Sequence, residues 1–93
     1  MLTAIVMIDA TPAQIPEVAV AVTAIPGVSE VYSVTGDTDL IAIVRVKDHE
    51  DLASVVADGI NKIPGILRTQ TNLAFRTYSP ADLDQAFDLG LGD

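Results

Sequence analysis

Two carboxylates stand two residues apart in the run Thr35-Gly36-Asp37-Thr38-Asp39. Carboxylates so placed can in principle share acid–base work. Gly36 precedes them, and β-branched runs flank them at 28–34 and 40–46, so the local reading is a hairpin turn. Gly36 supplies a backbone angle that other residues avoid. The turn thus sets carboxylates and free backbone amides at the tip of an otherwise apolar chain. Asp is also a good turn residue, so shaping the hairpin and contacting a ligand are both open roles for Asp39. A second polar feature lies in the last predicted strand, 66–78. There Thr69 and Thr71 share a face with Leu67, Leu73 and Phe75, while Arg68, Gln70 and Asn72 face the other way. The two hydroxyls can donate or accept near a ligand, and Thr is equally a plain strand former.

The rest of the chain offers little chemistry. It has no Cys, hence no thiol nucleophile and no disulfide. Its one His, His49, directly follows Asp48 at a helix start and lacks the oriented partner that a general base needs. No pair of His residues at metal-ligand spacing and no Gly-rich phosphate loop is present, so neither a metal nor a cofactor is expected. On these grounds the chain is expected not to be an enzyme. Five Lys and Arg against thirteen Asp and Glu give a net charge of −8. The basic residues are scattered, which argues against a nucleic-acid face or an anionic membrane surface. No apolar run approaches the ~20 residues of a membrane span. The N-terminus has no basic signal-peptide region. A soluble cytoplasmic domain is the resulting expectation.

These residues must be positioned by a regular frame. With 93 residues, half of them apolar but only two Phe, two Tyr and no Trp, a single domain with an aliphatic core is expected. Residues 2–8 and 40–46 read as strands apolar on both faces. Ile15, Val18, Ala19 and Val22 have helical spacing, with Pro12 and Pro16 leaving the helix start open by a turn. Residues 28–34 alternate as a strand. A second helix starts at Asp48, with Asp51 in the capping position, and carries the stripe Leu52, Val55, Val56, Gly59, Ile60 and Ile63. Pro26-Gly27 and Pro64-Gly65 end the two helices, 38 residues apart, so each half is one strand–helix–strand unit. The order βαββαβ with right-handed crossovers gives a ferredoxin-like α+β fold: a four-stranded antiparallel sheet with both helices on one face. Ser79-Pro80-Ala81-Asp82 then reads as a helix start. Residues 1–78 are expected to form the domain and 79–93 a short acidic C-terminal helix, packed on the body or on a partner chain. Helices cover only one sheet face, yet the central strands are apolar on both. The uncovered face predicts a homodimer with sheets packed face to face, a dimeric α/β barrel.

Gly36-Asp37-Thr38-Asp39 followed by Leu40-Ile41-Ala42 resembles the G-D-x-D-hydrophobic signature of the Lrp/AsnC regulators, whose ligand-binding part is called the RAM domain. Pro26-Gly27-Val28-Ser29-Glu30-Val31 and Pro64-Gly65-Ile66-Leu67-Arg68-Thr69-Gln70-Thr71 are similar to the two helix-to-strand junctions of that family. The resemblance spans about residues 2–77. It implies sheet-paired dimers, further assembly from tetramers to octameric rings, and an amino acid held in the cleft between dimers near the turn. Carried over by position, the ligand-binding residues are Gly36, Asp37 and Asp39 on the turn, with Thr69 and Thr71 on the last strand. The helix-turn-helix of full-length members has no counterpart here, so the resemblance implies a stand-alone effector-binding module. It would act in regulation of amino-acid metabolism or transcription without touching DNA itself, with a full-length Lrp/AsnC-type regulator as a candidate partner. Two other readings stay open: a small dimeric α+β barrel enzyme of the monooxygenase or haem-handling type, and a structural partner of longer regulators that binds nothing small.

Overall fold

The computed structural model describes residues 1–80. Its first strand, β1 (Leu2–Ala10), is followed by a single 3-10 turn (Pro12–Gln14) and helix α1 (Ile15–Thr23). Strands β2 (Val28–Ser33) and β3 (Leu40–Val46) form the hairpin, and helix α2 (His49–Val56) leads through a second 3-10 turn (Ile60–Lys62) into β4 (Ile66–Ala74). The sheet order is β2-β3-β1-β4 and every neighbouring pair is antiparallel. This is the ferredoxin-like arrangement that the strand–helix–strand repeat predicts. No helix among the described residues is long and apolar enough to cross a membrane. The expected C-terminal acidic helix falls at 81–93, outside the described residues.

The core follows from strand alternation. Ala4, Val6, Ile8 and Ala10 of β1 and Leu40, Ala42, Val44 and Val46 of β3 point to one face and are buried. Val18 and Val22 of α1, Val55 of α2 and Ile60 of the second 3-10 turn close over them. Each fully buried Val, Ile or Leu contributes about 1.5–3 kcal/mol of transfer free energy, and this aliphatic layer joins the helices to the sheet. The α1–β2 junction is tight. Gly27 has φ +102°, and a Cβ there would lie 2.8 Å from Val55 Cγ2 and 2.9 Å from Val46 Cγ1. Its carbonyl accepts from Arg45 N at 2.9 Å, so a side chain here would push α2 away from β3.

Several elements differ in extent from their sequence patterns. Both prolines near α1 are accommodated because Pro12 opens the 3-10 turn and Pro16 sits in the first turn of α1. Helix α2 stops at Val56, although its apolar stripe continues to Ile63. The pattern runs on because the 3-10 turn keeps Ile60 in the core. The capping Asp48 does accept from Asp51 N at 3.1 Å. Strand β2 carries a bulge between Val28 and Glu30, which places Val28 and Val31 on the core side with Val44 and Ala42. Strict alternation would put those two valines on opposite faces. β4 ends at Ala74 rather than Tyr78.

The face of the sheet away from the helices carries Ile5 and Met7 of β1 paired with Ile43 and Ile41 of β3. All four are only half-buried. Around them lie Glu30, Tyr32 and Arg45 at one corner and Asp9, Arg68, Gln70 and Asn72 along the β4 side.

Candidate functional site

The β2–β3 turn is bound to the end of β1 by its last two residues. Asp39 N donates to Ile8 O at 3.1 Å, and Asp39 O accepts from Val34 N at 3.1 Å. Asp39 Oδ2 accepts from Ala10 N at 2.9 Å, one rung beyond the last β1–β3 pair, Ile8 with Leu40. Thr38 Oγ1 donates to Ile8 O at 3.1 Å. Both residues are half-buried. Gly36 has φ +119°, with nothing within 4 Å of a Cβ built there. The glycine therefore serves the backbone angle and not a close contact.

Asp37 differs from Asp39. It is exposed and lines a cleft of about 200 Å³ together with Met7, Asp9, Thr38, Arg68 and Gln70. In that cleft Arg68 Nε donates to Asp9 Oδ2 at 3.2 Å, and Arg68 Nη2 lies 3.0 Å from the same oxygen as an ion pair. Both contacts fall on one carboxylate oxygen. The Arg68 side chain is 79% exposed and that of Asp9 24%. The cleft thus presents a guanidinium and the Asp37 carboxylate, with the Met7 thioether as its apolar part. Such a surface suits a small molecule carrying both charges.

The five residues singled out from sequence do not all meet. Asp37 lines the cleft, and Gly36 is its neighbour in the chain but not part of the lining. Asp39 is adjacent, but its carboxylate is engaged with Ala10 N. Thr69 and Thr71 pair with Ile8 and Val6 of β1, whose side chains belong to the core face. They therefore lie on the helix side of β4, and Thr69 Oγ1 donates to Asn61 Oδ1 at 2.8 Å. The β4 residues at the cleft are Arg68 and Gln70, one position out of phase. Alternation along β4 separates the two sets. The pairing of β4 with β1, which brings Arg68 opposite Asp9 across 59 residues of sequence, is what selects between them.

A second polar group sits at the diagonal corner of the open face. Tyr32 Oη donates to Glu30 Oε2 at 2.6 Å, and Arg45 Nη1 donates to Glu30 Oε1 at 3.2 Å. The Tyr32 hydrogen bond, aided by Arg45, holds the Glu30 carboxyl below its ordinary value. The same hydrogen bond raises the Tyr32 phenol above its own. The three groups of this cluster pair with one another.

The family model of the Lrp/AsnC ligand binding domain matches residues 3–83 of the chain. Among curated proteins, the HTH-type transcriptional regulator LysM of Saccharolobus solfataricus is 39% identical over 77 residues, which cover 81% of this chain and 53% of LysM. The chain spans about half the length of the curated relatives it matches. Among solved structures, TTHA0845 from Thermus thermophilus superposes with a TM-score of 0.81 at 47% identity, covering 85% of this chain and 99% of that one. The feast or famine regulatory protein Rv3291c of M. tuberculosis, solved in complex with L-methionine, superposes with a TM-score of 0.70 at 27% identity, covering 86% and 54%.

Proposed function

Since the chain belongs to the Lrp/AsnC ligand binding domain family, we propose that it is an effector-binding module that takes an amino acid or a related small metabolite beside the β2–β3 turn. The observation that carries this reading is the cleft next to the Gly36–Asp39 turn, where a carboxylate and a guanidinium face one small volume. A zwitterion has both matching charges. The L-methionine complex of Rv3291c supports an amino acid as the ligand class. Asp37 and Thr38 form one wall, next to the bend at Gly36. Asp39 holds that wall in place and joins the contact surface only at its edge. A ligand in this cleft is held without Thr69 and Thr71, which lie on the helix side of β4.

The output of such a module is assembly. Its half-buried Ile5, Met7, Ile41 and Ile43 form an apolar centre rimmed by charge, which suits face-to-face pairing with a second copy into a dimeric α/β barrel. Dimers then associate into tetramers to octamers, alone or with longer Lrp/AsnC-type regulators that carry their own DNA-binding part. The relatives are named as transcriptional regulators, in keeping with a cytoplasmic regulatory role without catalysis. The acidic surface, net charge −8, leaves DNA contact to the partner.

Calorimetric titration with the twenty amino acids, paired with light-scattering mass measurements, tests this reading. Saturable binding of at least one amino acid, with a change in assembled mass, is the expected result. Heatless titrations and an unchanged mass with every amino acid would remove the effector role.

A further inference from the structure

We propose that residues 81–93, which lie outside the described residues, fold back as an amphipathic helix onto the helix side of β4, in the layer of α1 and α2. Those two helices do not roof the whole sheet. Helix α1 packs against β2 and β3, and α2 against β3 and β1. Strand β4 is the edge beyond β1. Its helix-side residues are those paired with the core residues of β1: Thr69 with Ile8, Thr71 with Val6 and Leu73 with Ala4. All three β1 partners are buried, whereas Thr71 is exposed and Leu73 is 41% exposed. Phe75, next in the same phase, is 92% exposed. An edge strand that turns Leu and Phe toward a helix layer calls for a covering element. Ile5, Met7, Ile41 and Ile43 lie on the other face of the sheet, so pairing two copies there leaves this strip open.

The chain itself supplies the cover. Pro80 already has helical backbone, and Ser79-Pro80 is the pattern of an N-cap and first helical residue. Leu83, Ala86, Phe87 and Gly90 then recur at helical spacing, with Asp82, Asp84, Gln85 and Asp88 around the rest of the surface. One face is thus apolar or small, and the others are acidic.

Lengths and charge agree with this placement. A helix over 80–89 is about 15 Å long, and Thr71 to Phe75 span about 13 Å along β4. Residues 76–79 reach about 13 Å, enough to climb from the sheet to the helix layer and reverse. The helix then runs antiparallel to β4, with Leu83 over Leu73 and Phe87 over Thr71. Its far end carries Asp88 toward Lys62, which follows the Asn61 that accepts from Thr69 Oγ1 at 2.8 Å. Lys62 is in no ion pair among the described residues. So short a tether gives the chain's own tail a local concentration in the millimolar range, which favours it over the tail of another copy.

The chain has no Cys, so engineered pairs report the tail's position directly. Leu73→Cys with Leu83→Cys is expected to oxidise to a disulfide within one chain, read by intact mass under denaturing, non-reducing conditions. Asn72→Cys with Leu83→Cys has the same tether, but Asn72 pairs with Ile5 and faces the open side; this pair is expected to stay reduced. Phe87→Asp gives a reading without cysteines. It is expected to lower the thermal midpoint by about 4 °C or more, and to lose most of that effect in a Leu73→Ser background. Gln85→Asp, on the polar side, should leave the midpoint unchanged. Faster oxidation at Asn72 than at Leu73 places the tail on the open sheet face and overturns the proposal. A disulfide between chains overturns it too, since a neighbouring copy's tail is then the cover. Equal oxidation of both pairs, none at Leu73, or an unchanged midpoint in Phe87→Asp each has the same consequence.

Discussion

Asp37 and Asp39 are the same residue type, two positions apart, and do opposite things. Asp39 Oδ2 accepts from Ala10 N at 2.9 Å, and Ala10 is only 2% exposed, so water cannot readily replace the carboxylate. Asp39→Ala is expected to lower stability by about 1–3 kcal/mol by leaving that N–H unpaired, and Asp39→Asn to recover most of it, since the amide oxygen also accepts. Asp37→Ala is expected to change stability by less than about 0.5 kcal/mol. Urea unfolding of the three variants checks this; equal losses at 37 and 39 would contradict the division of labour. Sequence marks both aspartates as turn residues and separates them no further, because the deciding hydrogen bond joins positions 29 apart. The same limit hides the Arg68–Asp9 pair, 59 apart. Only the β1–β4 register makes them neighbours.

At the scale of elements, the bulge in β2 has a consequence at the open face. It shifts Glu30 and Tyr32 into line with Ile43 and Ile41, which brings Glu30 within reach of Arg45 at 3.2 Å. The resulting hydrogen bonds, Tyr32 first and Arg45 second, lower the Glu30 carboxyl, while the bond to Glu30 raises the Tyr32 phenol. A lowered carboxyl adds stability above its ordinary ionisation near about pH 4.3 and loses it as pH falls through the folded value. A raised phenol adds stability below about pH 10 and loses it as pH rises through its folded value. The difference in thermal midpoint between wild type and Tyr32→Phe should therefore form a plateau from about pH 5 to 9 and shrink on both sides. A difference that grows in acid would show that the Tyr32–Glu30 bond is not its source. The bulge itself was not legible. Residues 28–34 alternate without a break in sequence, and the extra residue, Ser29, is set by how β2 must pair with β3. The extent of α2 escapes the sequence for a related reason. The apolar stripe from Leu52 to Ile63 records which side chains reach the core, and a helix followed by a 3-10 turn satisfies it as well as one long helix does.

Across the whole molecule, one feature of the sequence carried the architecture: β1 and β3 are apolar on both faces. Even-numbered residues of those strands fill the core under α1 and α2. Odd-numbered Ile5, Met7, Ile41 and Ile43 meet no helix among the described residues and are half-buried. A chain of this size has a small core, so covering four large aliphatic side chains with a second copy adds substantially to its stability. Ile43 lies in the middle of this surface, paired with Ile5 on one side and Glu30 on the other. Ile43→Lys puts a charge where two sheets would meet, at a cost in desolvation. Light scattering is expected to show the wild type as a dimer or a multiple of it, and Ile43→Lys shifted to the monomer mass with retained far-UV dichroism. Val20, on the outer side of α1, supplies the comparison. It is 70% exposed and far from the open face, so Val20→Lys should leave the mass unchanged. If Val20→Lys dissociates the assembly and Ile43→Lys does not, copies pair through their helices, and the apolar sheet face has another occupant.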